Sequence, residues 1–329
     1  MKLSHQDQAV TLARLGRRIG WRIPTWVQGA GGNVSLKSER DGRPILLIKS
    51  SGTRLDQITP TQGYSLVDTA LFTARCDLSK KSPGKGQEAV GETQYANALG
   101  ESQIPQEKSA LGERPSMETG LHIALESPMV AHFHSLPAIL MGHHLQQDRR
   151  LKSWLEHEVK GEVAFLRPMM PGRELALETY AHRQAKVLIV ANHGVILAMH
   201  KLRDIALWEK IERLFLKKHE YFDVLDIWDG GHRQNLEEKA RKTPIPLKFY
   251  FPDTAVFADD IQKSLVTMMG SDGENIYTLH SHRQDLLELW TAQQILFTAC
   301  PQLASLPHSM VTKIRKLPTE EYRLAKAAS

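Results

Sequence analysis

Apolar and polar positions alternate along this chain with two different periods. Leu12, Leu15 and Ile19 share one stripe at helical spacing behind a Ser4-x-x-Asp7 capping signal, which predicts a helix over 4–19. Val34-Ser-Leu36 and Ile45-Leu-Leu-Ile48 flank Asp41-Gly42, a pair suited to the positive φ angles of a tight turn. That pattern predicts a β-hairpin over 33–48. Periodicity then fails over 77–115, a stretch rich in Ser, Lys, Gly, Gln and Glu that reads as a long surface insertion. Order resumes with a helix over 115–125 led by Pro115. An apolar strand around His132 follows, then a short helix carrying His143 and His144, and a strand over 162–166. The turn Pro168-Met-Met-Pro-Gly172 leads into a helix over 173–185, and a strand over 187–191 stops just before His193. Ile205, Trp208, Ile211 and Phe215 mark one face of a helix over 202–222. Strands and helices alternate without a strict βαβ repeat, so the expected class is α/β, a mixed sheet with helices on both faces. The texture changes near Lys239, where Pro244-Ile-Pro-Leu-Lys-Phe-Tyr-Phe-Pro252 precedes two further helices. The expected division is a catalytic domain over 1–238 and a C-terminal appendage over 239–329 of unknown role, with no repeat or chemical motif visible in it.

Composition narrows the class. With 329 residues, 41% hydrophobic and 24% charged, the chain has the balance of an ordinary globular protein. Its two cysteines, Cys76 and Cys300, are far apart and outside any CxxC, so neither a disulfide framework nor a zinc ribbon is implied. The N-terminal residues are polar and show no secretory core. No apolar stretch approaches the ~20 residues that span a bilayer. The expectation is a cytoplasmic protein without a membrane partner. A formal charge of +5 is spread thinly, and the clusters Lys80-Lys81-Ser-Pro-Gly-Lys85 and Lys313-Ile-Arg-Lys316 read as solvated surface. No nucleic-acid partner is expected.

The candidate chemistry lies in three histidines. His132 and His134 occur in Met129-Val-Ala-His-Phe-His-Ser135, where a spacing of two on a strand sets both imidazoles on one face. His193 ends the apolar run Val187-Leu-Ile-Val-Ala-Asn-His-Gly194. Three such ligands leave coordination positions open, as catalytic zinc sites do. Gly29-Ala-Gly-Gly32 is not a phosphate loop of the nucleotide-binding kind, because no Gly-Lys-Ser/Thr follows and a strand comes next.

Taken in order, Gly32-Asn33-x-Ser35, Lys49-Ser-Ser-Gly52, Pro115-Ser-x-Glu118-x-x-x-His122 and the two His segments resemble the class II aldolase/adducin family over residues 8–222. That family includes fuculose-phosphate and rhamnulose-phosphate aldolases. The resemblance implies a three-layer α/β/α fold with a mixed central sheet, here with an additional C-terminal appendage. It implies one Zn2+ per chain on His132, His134 and His193, with another divalent transition metal as a substitute. Glu118 would be the general acid/base, its pKa raised by burial near the metal. His122, one helical turn on, would either orient that carboxylate or merely pack. Asn33, Ser51, Gly52 and Ser116 would hold the substrate phosphate, with Lys49 either lending charge or standing exposed at a strand end. Met117 departs from the second hydroxyl residue that often precedes the Glu, which leaves a non-phosphorylated substrate open.

The activity implied is reversible aldol cleavage of a ketose phosphate through a zinc-stabilised enediolate. A 4-epimerase, a dehydratase or a decarboxylase of the same family, and a non-catalytic adducin-like interaction domain, remain alternatives. The resemblance also implies a homo-oligomer, a ring-shaped homotetramer with sites at subunit boundaries.

Overall fold

The structure, a computed structural model, describes residues 5–79, 88–106, 113–221, 247–270, 273, 275–317, 320 and 324. Helix α1 (His5–Gly20) carries the predicted stripe, with Leu12, Leu15 and Ile19 fully buried. Its expected cap, Ser4, lies outside the described residues. Strands β1 (Asn33–Arg40) and β2 (Arg43–Lys49) form the predicted hairpin, and Asp41 and Gly42 turn it at φ 52° and 74°. Strand β3 (Tyr64–Asp68) pairs with β2 and leads into α2 (Thr69–Arg75), where Asp68 caps the helix by accepting from Leu71 N at 2.9 Å.

The polar stretch is the first departure from expectation. Within it stand a helix, α3 (Glu88–Glu101), and a short edge strand, β4 (Gln103–Ile104). Residues 80–87 and 107–112 of that stretch lie outside the described residues. The helix shows no obvious stripe because its buried side is made of Tyr95, Ala98 and Leu99 among small and polar neighbours. The second departure is at residues 115–118. Pro115 bridges to Ser50 and Ser51 N donates to Arg114 O at 2.7 Å, so the chain is held against the end of β2 and α4 (Thr119–Ala124) starts only after Glu118.

Strand β5 (Met129–Phe133), helices α5 (Leu136–Leu145) and α6 (Arg149–Val159), strand β6 (Val163–Leu166), helix α7 (Arg173–Ala181), strands β7 (Val187–Val190) and β8 (Gly194–Met199) and helix α8 (Asp204–Lys218) complete the central body. The sheet order is β4-β3-β2-β1-β5-β8-β7-β6, antiparallel throughout except for the parallel β6–β7 pair. Alternation along the strands sorts the side chains between two faces. Val34, Leu36, Ala131, Phe133, Val195 and Leu197 join α1, α5 and α8 in the large core. Leu46 and Ile48 pack with the α2–α3 side, and Val130, Leu188 and Ile196 with α4 and α7.

Beyond residue 247 come α9 (Pro252–Val256), α10 (Ala258–Ser264), the hairpin β9 (Leu265–Met269) and β10 (Asn275–Leu279), α11 (Gln284–Ala299) and α12 (His308–Arg315). Tyr250, Phe251, Trp290 and Leu296 are buried in the same cluster as Leu12, Phe133 and Ile139. This segment therefore packs on the α1/α5/α8 face. Among the described residues, no helix is long and apolar enough to cross a membrane.

Candidate functional site

The strand period sets the site. His132 lies in β5 and His134 two residues on, so both imidazoles leave the sheet on one side, with ring centroids 5.3 Å apart. His193 reaches the same place from the tight connection between β7 and β8, with Asn192 in the left-handed region at φ 53°. Gly194 follows at φ 149°, and a Cβ there would meet the Phe133 carbonyl, so only glycine lets this turn press against β5. The ligand atoms of the three histidines lie within 4.8 Å of one another, and all three residues are buried.

Their second nitrogens are treated differently. His132 Nδ1 donates to Val195 O at 3.0 Å, which leaves Nε2 to face His193 Nε2 at 3.2 Å. His134 Nδ1 lies 2.9 Å from Asp253 Oδ2. Two imidazole lone pairs at this range repel unless a proton or a cation lies between them. His134 Nε2 and Glu118 Oε1 are buried without a hydrogen-bond partner. Buried polar atoms are rarely left unsatisfied in native proteins. These residues therefore fit a bound divalent cation, with nitrogen ligands of the kind that suits zinc.

Glu118 reaches the cluster from the turn before α4, with Oε1 at 3.5 Å from His132 Nε2 and 3.4 Å from His193 Nε2. The register of β1 on β5 pairs Asn33 with His132, so the Asn33 amide shares their face and donates to Glu118 Oε2 at 2.7 Å. Burial pushes the Glu118 carboxyl up, but the neighbouring His132 and His193 outweigh it and hold the group well below the usual carboxylate range. The expected burial is present and the expected upward shift is reversed. The raised His132 ring and the close contacts of both rings at about 3.5 Å act more strongly than the loss of water. Burial lowers His193 to about 4 in spite of Glu118, whereas for His132 the Glu118 carboxylate overcomes burial and raises the ring. His122 is buried, shares a 2.8 Å hydrogen bond with Ser35 Oγ, and is pushed by burial to about 3. It is neutral at ordinary pH.

A cleft of about 420 Å³, partly open to solvent, leads to this cluster. Asn33, Ser51, Gly52, Ser116, Glu118, His134 and His193 all line it. Ser116 Oγ accepts from Glu118 N at 3.2 Å, and Asn33 is engaged with the carboxylate, so both also hold Glu118 in place. Lys49 lines the cleft too but is not an exposed strand-end lysine. It is 2% exposed, and its ammonium donates to the carbonyls of Ala30 at 3.0 Å and Thr53 at 2.8 Å.

Pro252, Asp253 and Glu320 also line it. All three come from the C-terminal segment, where the sequence shows no chemical motif. A lone Asp behind a Pro carries no pattern that could have marked it.

The chain belongs to the Class II Aldolase and Adducin N-terminal domain family, which matches residues 10–209. Class II aldolases depend on a metal ion, and among the described residues the buried three-histidine cluster could hold one. Among solved structures, the N-terminal class II aldolase domain of a conserved Thermoplasma acidophilum protein is 20% identical, with a TM-score of 0.49, covering 64% of this chain and 92% of that one. L-fuculose-1-phosphate aldolase from Thermus thermophilus is 17% identical with a TM-score of 0.42, over 70% of this chain and 100% of that one. L-fuculose 1-phosphate aldolase from Glaciozyma antarctica is 13% identical with a TM-score of 0.38, over 90% of this chain and 93% of that one. No curated protein matches the chain.

Proposed function

We propose that this protein is a zinc-dependent aldehyde-lyase that cleaves and re-forms a ketose phosphate. The observation that carries the reading is a buried carboxylate, Glu118, facing three buried imidazoles at the end of a cleft. His132, His134 and His193 would hold the ion. A bound dication supplies Lewis-acid polarisation of the substrate carbonyl. Glu118 moves the proton. In the condensing direction its Oε1 takes a proton from the carbon beside the carbonyl while the new hydroxyl is protonated from solvent. In the cleaving direction both transfers reverse, the hydroxyl proton leaving to solvent as the C–C bond breaks and Glu118 returning its proton to that carbon. Asn33 fixes the other carboxylate oxygen, so proton transfer falls to Oε1. Ser51, Gly52 and Ser116 seat the phosphate end, with Asn33 serving both roles.

The neighbouring histidines hold Glu118 in its ionised form. A non-catalytic adducin-like domain has no use for this carboxylate beside an open three-histidine cluster. The deciding experiment is incubation of the zinc-loaded protein with a panel of ketose phosphates, scoring triose products against epimers. Epimers without triose would replace the aldolase with a 4-epimerase, and turnover only of unphosphorylated ketoses would remove the phosphate. We further propose a cytoplasmic homotetramer. A fully active species near 37.1 kDa by light scattering would rule the tetramer out.

A further inference from the structure

The metal cluster is touched by a part of the chain that lies beyond the family's extent, which ends at residue 209. Five contacts tie the segment after residue 247 to the loops that build the site. Asn192, beside His193, donates its amide to Tyr250 O at 3.2 Å and Ala304 O at 2.7 Å. Glu288 accepts from Gly29 N at 2.6 Å and from Arg54 Nη2 at 2.8 Å. Asp253 Oδ2 stands 2.9 Å from His134 Nδ1, both residues being buried.

The local sequence explains how Asp253 arrives there. Phe251 is extended, Pro252 starts α9 with its φ already set, and Thr254 Oγ1 donates to Phe251 O at 2.6 Å. Asp253 is thereby turned inward, and the Phe251 ring packs 5.9 Å from the His134 ring. Gly31 makes the room. A Cβ at that position would meet both Asp253 Oδ2 and His134 Nδ1. The ring N–H is not aligned on the oxygen in this structure, so the contact is electrostatic as it stands.

We infer that Asp253 is a positioning residue for the metal centre, the carboxylate acceptor for His134 Nδ1–H that holds the ring with Nε2 toward the ion. The inference rests on the metal reading of the three histidines. The physical reason is that His132 has the Val195 carbonyl on its Nδ1, while Asp253 stands at the same atom of His134. A carboxylate there fixes the tautomer and raises the basicity of the liganding nitrogen, and removing such a partner costs roughly 10–100-fold in metal affinity. The C-terminal segment is then part of the centre, and a chain cut before it would bind metal weakly even with all three histidines present.

The test is titration of the metal-free full-length protein with Zn2+, and with Co2+ to read the visible ligand-field spectrum. Asp253→Ala should bind roughly 10–100-fold more weakly than wild type while keeping its circular dichroism. Asp253→Asn, of the same size and still able to accept through its amide oxygen, should show a smaller loss. A role in packing alone would lower the melting temperature of the metal-free chain and leave the affinity of the folded protein unchanged. Wild-type affinity in folded Asp253→Ala, or in Asp253→Asn should the alanine variant not fold, overturns the inference alone. A wild-type protein that retains no metal overturns the metal centre and this inference with it.

Discussion

Two buried glutamates on opposite faces of the sheet are shifted in opposite directions. Glu118, on the α4 face, sits against His132 and His193 and stays well below the usual carboxylate range. Glu212, in α8 on the other face, is surrounded by neutral donors. Trp26 Nε1 donates to it at 2.5 Å, Trp208 Nε1 at 2.7 Å, and Ser135 Oγ also donates to it. Burial raises Glu212 to about 7, because those three hydrogen bonds and Arg22 recover only part of the lost hydration. Burial is common to both, so it does not decide ionisation. Cationic partners within a few ångströms do. Glu118 is thereby held ionised beside the three histidines, and Glu212 is a structural anchor under Ser135, the residue after His134.

The largest expected effect separates the two faces outright. His134→Ala should abolish aldol cleavage and lower the metal content while leaving the sheet folded, as read by elemental analysis and circular dichroism. Stoichiometric metal in a variant lacking all three histidines would move the ion elsewhere. Next in size is Glu118→Gln. The amide keeps the Asn33 contact but cannot accept the proton, so kcat should fall roughly 10²–10⁴-fold with metal still bound. Turnover at the wild-type rate would assign the proton transfer to another group.

The smallest effect belongs to Glu212 and appears only in stability. Its folded value of about 7 lies above the ordinary 4.5, so the folded state binds the proton more tightly. The stability from this group is complete below pH 4.5 and is lost as pH rises through about 7. At about 1.4 kcal/mol per pKa unit, the wild type should lose roughly 3 kcal/mol relative to Glu212→Gln over that window. Urea melts at several pH values check this. A pH-independent difference between the two proteins would show that the three donors stabilise the ionised form fully.

Much of the site could be read from local pattern. A His-x-His in an apolar run can place both rings on one face only if the run is a strand, and β5 is one. Asp41-Gly42 turned the hairpin as its chemistry requires. Other elements were hidden for identifiable reasons. The helix α3 buries Tyr95 and small residues in place of a broad apolar stripe, so its sequence looks like loop. The strand β8 follows β7 after a three-residue connection, too short to mark a second strand, so the sequence shows only the first. Pro115 suggests a helix start, yet pairing with Ser50 keeps it extended. The hairpin of β9 and β10 was missed as well, in a segment read as helical.

The sequence by itself determined the two-faced sheet and the shared face of His132 and His134, through periods of two and 3.6 residues and turn chemistry within a few positions. It determined the family through the order of its motifs, a resemblance that also marked His193 and Glu118. Only the tertiary structure decided what each buried polar atom meets. Asn33 turns to Glu118 because β1 pairs with β5 in one register, Lys49 directs its charge at carbonyls, and Asp253 reaches His134 because Phe251 and Trp290 sink into the common core. The partner of a buried group is selected by the packing of segments far apart in the chain. No local period records that choice.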